Sequence, residues 1–169
     1  MRLALLLALV LCTAAALPAQ SPDALGGTWY TSERARVILR AGSDSTATDL
    51  AVTSLVTLEL QVEGTTVTGQ ERRELSIPAE ETANRKDPVT VTTVREVTGT
   101  LEGDTLHLTM TAQYGPALHY EGALSPNGRH LTLRLVSQTA VRGAAPPVPT
   151  DVAPLTFGRQ PPKPEPRKG

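Results

Sequence analysis

The eight residues Val56-Thr57-Leu58-Glu59-Leu60-Gln61-Val62-Glu63 alternate apolar and polar side chains without interruption. A period of two predicts a β-strand with one buried and one wet face, because successive side chains of a strand point to opposite sides. The same alternation returns in residues 106–111 and 130–135, where Thr is again frequent. β-Branched residues favour a pleated sheet over a helix. These patterns predict an all-β protein.

Short turn sequences separate the strand-like segments: residues 63–66 (EGTT), 102–104 (EGD), 114–116 (YGP) and 125–128 (SPNG). Gly and Pro suit tight turns, and such short connections join antiparallel neighbours. We therefore predict an antiparallel up-and-down meander of about eight strands that closes into a barrel, since open sheet edges invite aggregation. The predicted strands are 27–31 and 34–40, which together count as one bent strand, then 51–63, 66–76, 89–101, 104–113, 117–124, 129–137 and 154–159.

The first residues have the pattern of a secretory signal. Met1-Arg2 is followed by an apolar run at residues 3–17 and small residues suited to cleavage after Ala16 or Ala19. This run is too short to cross a bilayer comfortably, and no later apolar run follows it. We predict a signal peptide at 1–19, a secreted or periplasmic protein and no transmembrane segment. The one Cys, Cys12, lies inside this signal; the bulky Leu11 before it argues against lipidation, which stays an open alternative.

The remaining chain is predicted to hold a single β-barrel domain at 20–159, which suits the total length of 169 residues. A charged segment at 78–88 and a Pro-rich segment at 141–153 interrupt the strand pattern. Residues 160–169 contain prolines and charges without an apolar anchor, so we predict a disordered Pro-rich tail.

Composition and motifs exclude several functions. The chain has 16 basic and 17 acidic residues, a formal net charge of −1, and only five aromatic residues. These values favour neither an electrostatic field for nucleic acid nor a platform for base stacking. The sequence has no Gly-x-Ser-x-Gly, no His-Glu-x-x-His and no phosphate-binding glycine loop. We therefore predict no enzyme activity, no catalytic residue, no cofactor and no nucleic-acid partner.

Two groups of polar residues are candidate functional sites. His107, His119 and His130 fall on three successive predicted strands, but each is out of phase with the apolar face. We interpret them as solvated strand residues and predict no metal site. The mixed charges of Arg72-Arg73-Glu74 are interpreted as a solvated rim.

Gly27-Thr28-Trp29, at the start of the first predicted strand, holds the one Trp of the chain. It resembles the Gly-x-Trp signature of the lipocalins and the wider calycin group, whose members are up-and-down β-barrels. The resemblance implies a small bacterial calycin-like barrel in which a basic residue near the last strand lies across the Trp and closes the barrel; Arg159 matches that position. The sequence lacks the central Thr-Asp-Tyr-like motif and the disulfide of typical lipocalins, and an avidin-like barrel or a sandwich stays an alternative.

The inward-phased residues of the predicted barrel line either a packed core or an apolar pocket, and eight-stranded barrels allow both. Our functional hypothesis is that the barrel binds or carries a small hydrophobic ligand, with segment 78–88 as a lid. The alternative is a structural or protein-interaction module of the cell envelope with a filled barrel and no ligand. The candidate ligand-binding residues are Trp29, Val56, Leu58, Leu60, Leu108, Met110, Tyr114 at the rim, Tyr120 and Leu133.

Overall fold

The computed structural model describes residues 22–40, 47–78, 88–139 and 152–163. The predicted signal peptide with Cys12, residues 79–87 of the predicted lid, most of the Pro-rich segment and residues 164–169 of the tail lie outside the described residues.

The described chain consists of one helical turn followed by eight β-strands. The first two predicted strand segments form one continuous strand, β1, and β2 begins four residues earlier than predicted. The elements are α1 (Pro22–Leu25), β1 (Gly27–Arg40), β2 (Ala47–Glu63), β3 (Thr66–Ile77), β4 (Val89–Glu102), β5 (Thr105–Thr111), β6 (Leu118–Leu124), β7 (His130–Gln138) and β8 (Leu155–Gly158).

The eight strands form a closed barrel in which each strand is antiparallel to the next one along the chain. β8 returns to β1 through the pair Tyr30 and Gly158. The prediction of an all-β, antiparallel up-and-down barrel is therefore confirmed. No helix in the described ranges has the length and apolar composition needed to cross a membrane.

One end of the barrel, here called the closed end, carries α1 and three short connections. Two of these connections contain Gly64 and Gly103, each with φ near +62°, a conformation that glycine adopts without steric cost. Strand ends at the opposite side, here called the far end, are joined by the longer segments 41–46, 78–88 and 139–154, and by residues 112–117.

The half of the barrel nearest the closed end is filled by apolar side chains. Trp29, Val56, Leu58, Leu131 and Leu133 have 0% exposed surface, so no water-sized space adjoins them. This half is a packed core. Its members are Leu25, Trp29, Val56, Leu58, Leu60, Val67, Val97, Leu106, Leu108, Met110, Tyr120, Leu124, Leu131, Leu133 and Phe157.

Strands β1 to β4 extend past the other four towards the far end. The pairing of β4 with β5 stops at Glu96 and Thr111, and β1 pairs with β8 only at Tyr30. We call the extending part, residues 31–40, 47–56, 73–77 and 89–95, the overhang. Within the described chain, its four strands pair with one another but not with β5 or β8. On its inner face Val52 and Ile77 are buried, whereas Val91 is 46% exposed.

Candidate functional site

Strand β3 carries charged residues into the barrel. Its buried Val67 faces the core, and the period of two places Gly69, Glu71 and Arg73 on the same inner face. The register then sets Glu71 opposite the core residue Leu58 on β2 and opposite Arg95 on β4. Charged groups of two neighbouring strands therefore meet inside the barrel.

Glu71 is the centre of an ion-pair network and is only 2% exposed. Its Oε1 accepts a hydrogen bond from Arg73 Nη2 at 3.0 Å, and its Oε2 accepts one from Arg95 Nη1 at 2.5 Å. Arg73 Nη1 also donates to Glu33 on β1. Two guanidinium groups and two carboxylates thus offset each other's charge, as buried ions require.

Tyr120 and Ser54 lie beside the network. Tyr120, on β6, is buried; desolvation raises its pKa, the charge of Glu71 raises it further, and Arg73 and Arg95 oppose the rise. Tyr120 therefore lies within the electrostatic reach of charges on the opposite wall and stays a neutral phenol. We call the six residues the inner polar cluster: Glu33, Ser54, Glu71, Arg73, Arg95 and Tyr120.

Among the residues that the structure describes, two atoms of the cluster have no hydrogen-bond partner. Ser54 pairs with Glu33 in the register of β1 and β2 and is 0% exposed, yet no described residue makes a hydrogen bond with its Oγ. Arg73 Nε is likewise buried with no acceptor in the described ranges. Burial of Arg73 lowers its pKa, and neighbouring Arg95 lowers it further. Each unpartnered atom carries a desolvation cost of about 1–3 kcal/mol.

The interpretation of Arg72-Arg73-Glu74 as a solvated rim was therefore wrong for Arg73. Arg72 and Glu74 do form an exposed pair at 2.8 Å on the outer face, but Arg73 points inward. The useful signal was the phase of β3, in which Val67, Arg73 and Ile77 are all odd-numbered. Charged side chains usually lie on the wet face of a strand, which is why the three residues were interpreted together as surface.

The inner polar cluster occupies the part of the overhang nearest the packed core, through Glu33, Ser54, Arg73 and Arg95. The cluster is partly accessible, because the side chains of Glu33, Arg73 and Arg95 are 25%, 22% and 20% exposed. Beyond it, Leu75 pairs with Val91, which is inward-phased and yet 46% exposed. Leu75 and Val91 are thus partly exposed beside the cluster, whereas Val52 and Ile77 of the same inner face are buried at 6% and 4%.

The predicted ligand-binding residues fall into three places. Tyr120 belongs to the inner polar cluster, and Tyr114 is 83% exposed in the connection of β5 to β6 at the far end. The other seven lie in the packed core, each 2% exposed or less: Trp29, Val56, Leu58, Leu60, Leu108, Met110 and Leu133.

Arg159 and Trp29 meet at the closed end. The guanidinium carbon of Arg159 lies 3.5 Å from the centroid of the Trp29 ring, a cation–π contact. Arg159 Nη1 donates to the Gly26 carbonyl at 2.8 Å, and Nη2 donates to the Ala24 carbonyl. Trp29 Nε1 donates to the Leu25 carbonyl at 2.8 Å. These contacts attach α1 to the base of the barrel.

The three histidines lie apart in the register. His107 pairs with Glu121, His119 pairs with Thr109, and His130 pairs with Gly158 on the last strand. Across the parts of the chain that the structure describes, no group of three His, Cys, Asp or Glu side chains is arranged to hold a metal ion.

A concavity of about 400 Å³ lies on the outer face of β1 to β4 rather than inside the barrel. Pro162 and Lys163 border it, so the first residues of the tail lie against this outer face. Its wall is mainly hydroxyl-bearing, with Leu55 as its apolar strand residue.

The fold and the site together define a closed eight-stranded antiparallel β-barrel that is packed at one end and holds a charge-balanced, partly exposed polar cluster on its inner face. This architecture is consistent with a calycin-like barrel. Comparisons with protein-family models, curated proteins and solved structures found no significant match to the chain.

Proposed function

We propose that this protein is a secreted or periplasmic binding protein that takes up one small apolar or amphipathic molecule through the far end of the barrel, without catalysing a reaction. The ligand's apolar part would contact Leu75 and Val91, and its polar end would face the inner polar cluster. Localisation rests on the signal-like residues 1–19.

The observation that carries this proposal is the 46% exposure of Val91 on the inner face. An apolar side chain of the inner wall is normally covered by the opposite wall of a filled barrel. Here it lies in the overhang, past the end of the β4–β5 pairing, above a polar floor. Small-molecule sites are lined mainly by apolar side chains with a few convergent polar groups. Leu75, Val91 and the inner polar cluster would supply both.

The packed core favours the second candidate, a filled barrel that serves as an interaction module of the cell envelope. Seven of the predicted ligand contacts are already covered by protein. Under our proposal these residues support the site from below, and the ligand occupies only the half nearer the far end. The two candidates therefore differ in one measurable property, which is binding of a small apolar molecule by the folded protein.

The test is a fluorescence titration with N-phenyl-1-naphthylamine, a neutral apolar probe. We expect saturable binding at one site by the unmodified protein and loss of it in Val91→Trp, whose indole would fill the space beside Leu75. Val94→Trp is the matched control, because Val94 is on the outer face at 43% exposure. Absence of binding by the folded protein, or equal loss in both variants, would reject the carrier and favour the interaction module.

A further inference from the structure

Resting on the proposed function, we infer that the inner polar cluster selects a ligand with an uncharged hydrogen-bonding head group, such as an alcohol or a ketone, over one with a carboxylate. The inference concerns the polar end of the ligand that Arg73, Arg95 and Glu33 face.

The charge balance of the cluster is the first reason. Both guanidinium groups are already paired, Arg73 with Glu33 and Glu71, and Arg95 with Glu71. Tyr120 contributes no charge, because it is a neutral phenol. A ligand carboxylate placed here would be a third negative group beside two glutamates, without a cation of its own. Burying such an uncompensated charge costs several kcal/mol, whereas a neutral head group adds none.

The two unpartnered atoms are the second reason. Arg73 Nε is a donor that needs an acceptor, and the Ser54 hydroxyl can donate or accept. An alcohol or ketone oxygen can satisfy a donor without changing the net charge. Both atoms are covered in the structure, so a head group would reach them only after a change of rotamer at Arg73, whose side chain is 22% exposed.

The experiment compares 1-dodecanol with dodecanoate as competitors of bound N-phenyl-1-naphthylamine at pH 8, where the acid is ionised. These competitors share a chain length and differ in the head group. We expect 1-dodecanol to compete at least about tenfold more tightly, the ratio that corresponds to about 1.4 kcal/mol. Equal or tighter competition by dodecanoate would overturn the inference, as would bound probe that neither compound displaces.

A variant tests the charge argument directly. Glu33→Gln removes one carboxylate, frees Arg73 Nη1 and leaves the cluster with a net positive charge. We expect it to shift the preference at least about tenfold towards dodecanoate, while Glu74→Gln on the outer face leaves the preference unchanged. An unchanged preference in folded Glu33→Gln would contradict the inference. If that variant does not fold, the relative affinity of the unmodified protein for 1-dodecanol and dodecanoate still tests the inference.

The two proposals fail differently. If the probe itself does not bind, the proposed function is rejected. If the probe binds at one site but the order of the two competitors is reversed, ligand binding stands and the inference on the head group is rejected.

Discussion

Replacing Glu71 by Gln is expected to destabilise the fold strongly, although the two side chains have nearly the same shape. Glu71 is 2% exposed and accepts charged hydrogen bonds from Arg73 and Arg95 at 3.0 and 2.5 Å. The substitution leaves two partly buried guanidinium groups with Glu33 as their one remaining carboxylate in the cluster. Removing one partner of a buried ion pair costs about 3–5 kcal/mol. We therefore expect the free energy of unfolding to fall by about 3 kcal/mol, and Tm by roughly 10 °C.

The assay is urea unfolding followed by the fluorescence of Trp29, the one Trp of the chain, which has 0% exposed surface in the fold. Glu74→Gln is the matched control on the same strand, because Glu74 is 38% exposed and pairs with exposed Arg72. Its cost should stay within about 0.5 kcal/mol. A difference of less than about 1 kcal/mol between the free energies of unfolding of the two variants would be well below the expected loss. It would show that the buried network does not have the energetic role assigned to it.

Three further outcomes follow from the structure. Arg159→Ala should lower stability by about 2 kcal/mol and shift Trp29 emission to longer wavelength, because the cation–π contact and two hydrogen bonds are lost; unchanged emission and Tm would contradict this. The raised pKa of Tyr120 means that the folded state holds the phenolic proton more tightly, so stability is maintained below pH 10.0 and falls as pH rises above it. Tyr120→Phe should flatten this alkaline loss of stability in urea titrations. The same slope of stability against pH in both proteins would refute it. Gly69→Ala should destabilise by about 2–3 kcal/mol, because a Cβ there would clash with the backbone carbonyl oxygen of Glu59 on β2. Gly158→Ala should be nearly neutral in the same urea assay, because its Cβ would meet no described atom within 4 Å apart from its chain neighbours.

Much of the architecture could be predicted from local patterns. The alternation at 56–63 and the turn at 64–65 each have a direct physical cause, so strand identity and hairpin order follow from them. The extra residues at the start of β2 had no such pattern. Residues 47–50 are strand because the β1–β2 register continues through Arg40 and Ala47, and register is a tertiary property.

The inner polar cluster could not be found in the same way. Its contacts join residues far apart in the chain, Glu71 with Arg95 and Glu33 with Arg73, and only the register of β3 against its neighbours places them together. Charged residues are also common on the wet faces of strands, so composition alone predicts a surface position for these side chains. The alternation of β3 predicts that Glu71 points inward. The ion pairs that offset its charge join different strands, so they cannot be predicted from a short stretch of sequence.

The central claim is that one apolar or amphipathic molecule binds in the half of the barrel nearest the far end. The most direct test is to map the amide and methyl NMR shifts of the isotope-labelled protein during titration with N-phenyl-1-naphthylamine. We expect saturable shifts at Leu75, Val91 and Thr93, with little change at Leu131 and Leu133 in the packed core. Absence of shifts, or shifts confined to the outer face, would contradict the claim.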